Sequence, residues 1–170
     1  RKISRVPLVN VAKNVKNGVT DVNTIYKREE IGDFSTEFLD NNIESWKDKW
    51  DIKFGGDLAQ QKFVSPSKYI FLLNYARVYK DEEVFNHVKK TLDIISNSGL
   101  NDFIEGGFYR YTVDSEWKIP HFEKMLYDQA QMISMYSQAY KLYKDESYRN
   151  IVIETIDFLN SKMSSKDGLY

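Results

Sequence analysis

The feature that most constrains the fold of this chain is an internal repeat with a spacing of 64 residues. The sequence Tyr-Lys-Asp-Glu occurs at residues 79–82 and again at residues 143–146, and eight of the fifteen positions in 79–93 are identical in 143–157. Each copy has the pattern of two amphipathic helices joined by a tight turn that contains Lys-Asp-Glu. Such hairpins bury a continuous core only by stacking, either in an open superhelix or in a closed ring of inner and outer helices. We therefore expect an all-α fold of helical-hairpin repeats.

Apolar residues at three- and four-residue spacing predict four helices within the two copies. Ser65 and Pro66 have the form of an N-cap followed by a first helical residue, and Gly99 marks the end of the second helix. The third helix is expected to begin at Pro120 and His121, after a long connection. The fourth is expected to follow directly from the second Lys-Asp-Glu turn.

The first part of the chain has a weaker pattern. An apolar stripe predicts a helix at about residues 35–50, residues 6–22 are mildly amphipathic, and the charged residues 27–30 are interpreted as a solvated run. We divide the chain into a linker or loose helix at residues 1–32 and a hairpin domain at residues 33–170.

Composition narrows the possible functions. Since 24 Lys and Arg residues balance 25 Asp and Glu residues without a dense basic cluster, neither nucleic acid nor a membrane surface is an expected partner. With no Cys and two His, the chain has too few ligands for a zinc site of its own, so we expect no metal and no cofactor. It also lacks an apolar run of the roughly 20 residues that a membrane helix needs, and the expected location is cytoplasmic.

The connection between the second and third helices is the candidate ligand-binding region. It is longer than a hairpin repeat requires and too aromatic for a disordered segment, and Gly106 and Gly107 permit a tight turn or a close approach to a ligand. Arg110 and Asp114 are suited to hold hydroxyl or carboxylate groups, although a salt bridge between them that fixes the loop explains them equally well. The candidate substrate-binding residues are Phe108, Arg110, Tyr111, Asp114, Trp117 and Tyr127.

Three titratable residues follow this connection and are the candidate catalytic groups: His121, Glu123 and Asp128. Histidine is matched to proton transfer near neutral pH, and a carboxylate is a second acid or base. A histidine beside a helix start also serves as a cap or a structural residue, so both interpretations remain open. His87 is expected on the exposed side of the second helix, without a role in catalysis.

Two segments resemble the YyaL/spermatogenesis-associated protein 20 family: residues 106–117, which begin with Gly-Gly-Phe-Tyr-Arg-Tyr, and residues 120–130, Pro-His-Phe-Glu-Lys-Met-Leu-Tyr-Asp-Gln-Ala. Residues 54–66 also match a family segment, but with departures at residues 57–58, at residues 60–61 and at Val64. The resemblance covers roughly residues 50–170. It implies part of an (α/α)6 toroid, related to six-hairpin glycosidases and N-acylglucosamine 2-epimerases.

The resemblance carries further expectations. Family members have a thioredoxin-like domain, which this chain lacks, and their toroid continues beyond residues 168–170, so the domain is expected to be truncated at its C-terminus. The rest of the toroid or another chain should then cover exposed helix faces. The expected function is that of a sugar epimerase, isomerase or glycosidase-like enzyme that binds a small, sugar-like ligand. The alternative is a noncatalytic binding or scaffold module; prenyl or terpene chemistry is disfavoured because the acidic clusters it needs are not visible.

Overall fold

The structure is a computed structural model, and it describes residues 5–23 and 35–165. The charged run at residues 27–30 and the terminal residues 166–170 lie outside the described residues. The chain divides into two compact parts, Arg1–Asn41 and Asn42–Tyr170. The boundary after residue 32 stays a prediction.

The N-terminal part contains helix α1, Arg5–Asn23, whose residues 9–20 are all exposed. Helix α2, Thr36–Lys47, begins in the N-terminal part and ends in the C-terminal part, where its Ile43 is buried. Within the described part of the chain, no helix combines the length and apolar character needed to cross a bilayer.

The C-terminal part contains two helical hairpins, as the repeat predicted. Helices α3 (Pro66–Tyr79) and α4 (Glu82–Ser96) form the first, and α5 (Leu126–Tyr143) and α6 (Glu146–Phe158) form the second. A π-helical turn, Leu159–Met163, extends α6. The expectation of an all-α hairpin fold is confirmed.

The Lys-Asp-Glu turns have the same backbone in both hairpins. Lys80 and Lys144 end α3 and α5 in the left-handed conformation, with φ of 57° and 56°. The following residues, Asp81 and Asp145, are N-caps whose carboxylates accept a backbone N–H from the first turn of α4 and of α6. The repeat detected in the sequence is therefore a repeat of capping geometry.

Tyrosine hydroxyls fasten the second hairpin to the first. Tyr136 donates to the carbonyl of Leu92 at 3.0 Å, and Tyr143 donates to the carbonyl of Phe85 at 2.7 Å. The core lies between the four helices, and its fully buried side chains include Leu72, Leu73, Val84, Val88, Leu92, Ile95, Met135, Tyr136, Ala139 and Tyr148.

A second repeated element precedes the first helix of each helical hairpin. It is a loop with the sequence Asp-x-x-x-Gly-Gly, at residues 51–56 and 102–107. In the first loop, Asp51 Oδ1 accepts the backbone N–H of Lys53 and of Phe54, and Lys62 Nζ donates to Asp51 Oδ2 and to the Gly55 carbonyl, both at 2.6 Å. These hydrogen bonds hold the loop closed through its own turn and through the Lys62 ammonium group. We call a loop of this kind a closed loop.

The second loop repeats this arrangement bond for bond. Asp102 Oδ1 accepts the N–H of Ile104 and of Glu105, while Lys124 Nζ donates to Asp102 Oδ2 at 2.7 Å and to the Gly106 carbonyl at 2.8 Å. All four glycines of the two loops have a positive φ angle, which residues with a side chain rarely adopt. We call each set of a closed loop, a locking lysine and the two helices of one helical hairpin a unit. The first unit is residues 51–96 and the second unit is residues 102–158.

The expected start of the third helix at Pro120 and His121 is wrong, because α5 begins at Leu126. Residues 119–123 pair instead with residues 110–113: the His121 N–H donates to the Tyr111 carbonyl at 2.9 Å. Strand β2, Tyr111–Thr112, also pairs antiparallel with strand β1, Lys62–Phe63. The long connection is therefore a small sheet, and its backbone bonds hold the residues that helix periodicity assigned to α5.

Candidate functional site

Most candidate site residues lie in a hairpin that the second unit has and the first lacks. Lys62 follows Gly56 by six positions, whereas Lys124 follows Gly107 by seventeen. The additional residues form the antiparallel hairpin at 109–123, which we call the inserted hairpin. Because the two closed loops are otherwise equivalent, this insertion is what distinguishes the segment before α5 from the segment before α3.

A β-bulge in the inserted hairpin places Glu123. Tyr111 and His121 are opposite each other, but the next backbone bond runs from the Arg110 N–H to the Glu123 carbonyl at 2.9 Å. Phe122 is the extra residue between these pairs and is largely exposed. Bulges of this kind redirect the following side chain, and here Glu123 is opposite Arg110.

The bulge brings polar side chains together around the Glu123 carboxylate. Its Oε2 lies 3.4 Å from Arg110 Nη1 and 3.8 Å from His121 Nδ1. The guanidinium of Arg110 also approaches Asp128, with Nε 3.9 Å from Oδ2. The same guanidinium lies 5.9 Å from the ring centre of Tyr127. We call these residues, Arg110, His121, Glu123, Tyr127 and Asp128, the polar cluster.

Asp128 is the electrostatically unusual member of the polar cluster. Its Oδ2 atom is buried and has no hydrogen-bond partner among the described residues. Burial raises the pKa of this carboxyl above its ordinary value, the charge of Glu123 acts in the same direction, and Arg110 opposes both. A pocket between α5, the inserted hairpin and the start of α3 adjoins Asp128 and has a volume of about 10 Å³, which is about enough for one water molecule.

Asp114 has a different role from either of those expected. Its carboxylate accepts the backbone N–H groups of Glu116 at 2.7 Å and Ile119 at 2.6 Å, and it also accepts that of Lys118. Burial favours the neutral acid, but these bonds outweigh it and hold the pKa of Asp114 below its usual range. Asp114 therefore closes the tip of the inserted hairpin, and the proposed salt bridge to Arg110 is replaced by the pairs with Glu123 and Asp128.

Phe108 and Trp117 are core residues, each 1% exposed, so the assignment of their ring faces to a ligand does not fit the structure. Phe108 stacks on Tyr136, and its backbone N–H and carbonyl both bond to the Gln129 side chain. The indole of Trp117 covers Gly56, and its Nε1 donates to the Phe54 carbonyl at 3.0 Å. Phe108 is thus held in the core by α5, and Trp117 packs on the first closed loop.

Two other residues differ from expectation. Tyr111 stands between the rings of Phe63, at 4.4 Å, and His121, at 4.7 Å, so its two faces are covered. His87 is buried and stacked on Trp50 at 3.8 Å. Burial, together with the charge of Lys68, lowers the pKa of His87 to about 4. The sequence reading also missed Phe63, because β1 has only two residues and no detectable alternation.

Among residues 5–23 and 35–165, no group of three or more His, Asp or Glu side chains is arranged to hold a metal ion. The polar cluster can bind hydroxyl, carbonyl or carboxylate groups and can exchange protons through His121 and the two carboxylates.

No family model matches the chain. Curated relatives do: the chain is 34% identical over 123 residues to spermatogenesis-associated protein 20 of Homo sapiens, a match that covers 70% of this chain and 16% of that protein. An uncharacterized protein of Caenorhabditis elegans is 36% identical over 125 residues, with 70% and 17% covered. The chain therefore spans about one sixth of the length of these relatives.

Solved structures share the fold. A sugar epimerase from a ruminal bacterium superposes with a TM-score of 0.67 at 19% identity, over 75% of this chain and 36% of that one. Cellobiose 2-epimerase from Bacillus thermoamylovorans gives 0.64 at 15% identity, over 78% and 39%. The enzyme of that name from Spirochaeta thermophila gives 0.65 at 16%, over 76% and 38%. The hairpins thus have the architecture of part of an (α/α) toroid.

Proposed function

Because the chain corresponds to a segment of the spermatogenesis-associated protein 20 family and folds as part of an epimerase-like toroid, we propose that its polar cluster binds a small, sugar-like ligand for acid–base chemistry. The reaction class is epimerisation or isomerisation beside a carbonyl group, or a glycosidase-like hydrolysis. The remainder of the toroid completes the site.

The observation that carries this proposal is the convergence of Arg110 and His121 on one carboxylate oxygen of Glu123, at 3.4 and 3.8 Å. Arg110 is placed to stabilise negative charge on a ligand oxygen. Glu123 favours the tautomer of His121 that carries its proton on Nδ1. The other ring nitrogen, Nε2, is then able to accept a proton from the ligand. The 3.8 Å contact is longer than a hydrogen bond, as catalytic contacts often are before substrate is bound.

Asp128 supplies the second acid or base. Its raised pKa keeps a larger fraction of the carboxyl protonated than in an exposed aspartate, so more of it is available as a general acid. Arg110 contacts both Glu123 and Asp128, so ligand binding at the guanidinium would loosen both pairs at once.

The competing function is a noncatalytic binding or scaffold module, in which the same ion pairs only fix the inserted hairpin. The two functions differ in what happens when the pairs are removed. A structural lock loses stability, whereas a half-exposed catalytic pair loses turnover and leaves stability nearly unchanged.

The test is a turnover assay with aldoses, N-acylhexosamines and disaccharides, followed by the same assay of His121→Gln and Glu123→Gln. The assay uses the full-length protein to which this segment belongs, which we call the parent protein. Either substitution should reduce turnover by about 100-fold or more and leave the melting temperature within about 2 °C. Lys118→Ala, on the same hairpin but outside the polar cluster, is the matched control and should change neither. No turnover by the parent, with a lowered melting temperature in both Gln variants, would establish the scaffold function.

A further inference from the structure

Three aromatic rings form a row on the solvent-facing side of the small sheet. Phe63 and Tyr111 are register partners in β1 and β2, with ring centres 4.4 Å apart and planes within 16°. Tyr111 and His121 continue the row at 4.7 Å and 11°. Because strand side chains alternate, Lys62 and Thr112 occupy the opposite side, and both are buried.

Phe63 ends this row, and 52% of its surface is exposed. A single exposed phenylalanine is ordinary, but this one is held parallel to two further rings that lead to the polar cluster. The residue at the same position in the second unit is Met125, which follows Lys124 as Phe63 follows Lys62. The aromatic ring at this place is therefore not a requirement of the repeated loop.

We propose that Phe63 is a stacking subsite that extends the candidate site from the second unit to the first. This inference rests on the proposed function, and it specifies the ligand: a saccharide of at least two rings. One ring binds at Arg110, His121 and Glu123, and the apolar face of the next ring packs on the exposed surface of Phe63.

The geometry sets this minimum size. His121 and Phe63 are separated by the whole Tyr111 ring, that is, by two stacking distances. A sugar ring is about as wide as one aromatic ring, so a ligand in contact with both needs a second ring unit. Tyr111 contributes its edge and hydroxyl between the two subsites, because its faces are already covered.

The experiment measures binding by titration calorimetry of the whole parent protein with cellobiose, maltose and chitobiose, and with glucose and N-acetylglucosamine. Phe63→Ala should weaken binding of the preferred disaccharide about 10-fold and change binding of its monosaccharide less than twofold. Phe63→Leu, which keeps the apolar bulk beside Tyr111, should fall between. Phe103→Ala is the matched control, since Phe103 is similarly exposed but lies in the second closed loop.

Three results would overturn the subsite. Equal weakening of disaccharide and monosaccharide would mean that Phe63 acts through Tyr111 on the first ring only. Unchanged affinity for both, with Glu123→Gln abolishing them, would remove the subsite and leave the proposed function intact. Binding of none of the five sugars by the unaltered protein would remove the proposed function and the subsite together.

Discussion

The Trp117 side chain anchors the inserted hairpin to the first unit. Its φ of 63° lies in the left-handed region, which costs a bulky residue about 1–3 kcal/mol, and its burial and hydrogen bond hold it there. Trp117→Phe should lower the free energy of unfolding by about 1–2 kcal/mol through loss of the bond to Phe54, and Trp117→Ala by about 3–5 kcal/mol. Urea unfolding measures both changes. Trp46→Phe, at a half-buried site, is the control and should change the free energy of unfolding by less than about 1 kcal/mol.

Asp128 is a residue at which stability and ligand binding should oppose each other. Its pKa is raised by burial, so the ionised form is the less stable one, and this disadvantage develops as pH rises above about 4. Asp128→Asn should raise the melting temperature by about 2 °C at pH 7, show no gain at pH 3, and weaken ligand binding. A variant that melts lower at pH 7 would show that the pair with Arg110 outweighs burial.

At the scale of elements, the closed loops depend on their locking lysines. Lys124→Met leaves the Asp102 carboxylate nearly buried without a cation and should cost about 3 kcal/mol at pH 7. Lys62→Met should cost at least as much, because Lys62 is the more buried of the two. Lys118→Met, at an exposed pair, should cost less than about 0.5 kcal/mol.

The lock also predicts a pH dependence. Burial favours neutral Asp102, but bonds from Lys124 and two backbone N–H groups outweigh it and hold its pKa below the usual range. A lowered pKa contributes stability that is present above about pH 4 and is lost as pH falls. The difference in unfolding free energy between the wild type and Lys124→Met should therefore shrink between pH 7 and pH 3. A constant difference would mean that packing of the lysine stem is the cause.

How far the sequence predicted each element depended on the range of its interactions. Helices α3, α4 and α6 follow from apolar spacing and caps, which are local. The start of α5 was misplaced because His121 bonds to Tyr111, ten residues earlier, and periodicity contains no information on such pairing. The repeated closed loops were missed because the inserted hairpin changes the spacing of the lysines. The polar cluster was identified by residue type, but the burial of Phe108 and Trp117 depends on contacts with distant segments.

At the scale of the whole molecule, the repeat relates a covered face of α4 to an exposed face of α6. Leu92 on α4 is 0% exposed beneath the second hairpin, whereas Ile156, its equivalent on α6, is 40% exposed. We expect a third hairpin of the parent protein, or a partner chain, to cover Ile156 as the second hairpin covers Leu92.

Cysteine labelling tests this expectation, since the chain has no cysteine of its own. Ile156→Cys should react with a thiol reagent at least tenfold more slowly in the parent protein than in the 170-residue chain. Asn150→Cys is the matched control: its equivalent, Asn86, stays exposed although a hairpin is docked on α4, so its rate should be similar in both. Fast labelling of Ile156→Cys in the parent would show that this face remains open.

The tyrosine bonds between the hairpins attach the later hairpin to backbone groups that the earlier one presents. The acceptors are backbone carbonyls of α4, and the donors, Tyr136 and Tyr143, belong to the later hairpin. As the chain leaves the ribosome, the earlier hairpin can fold first and serve as the template on which the next one settles. Further hairpins of the same design would then be added one at a time, in the direction of translation.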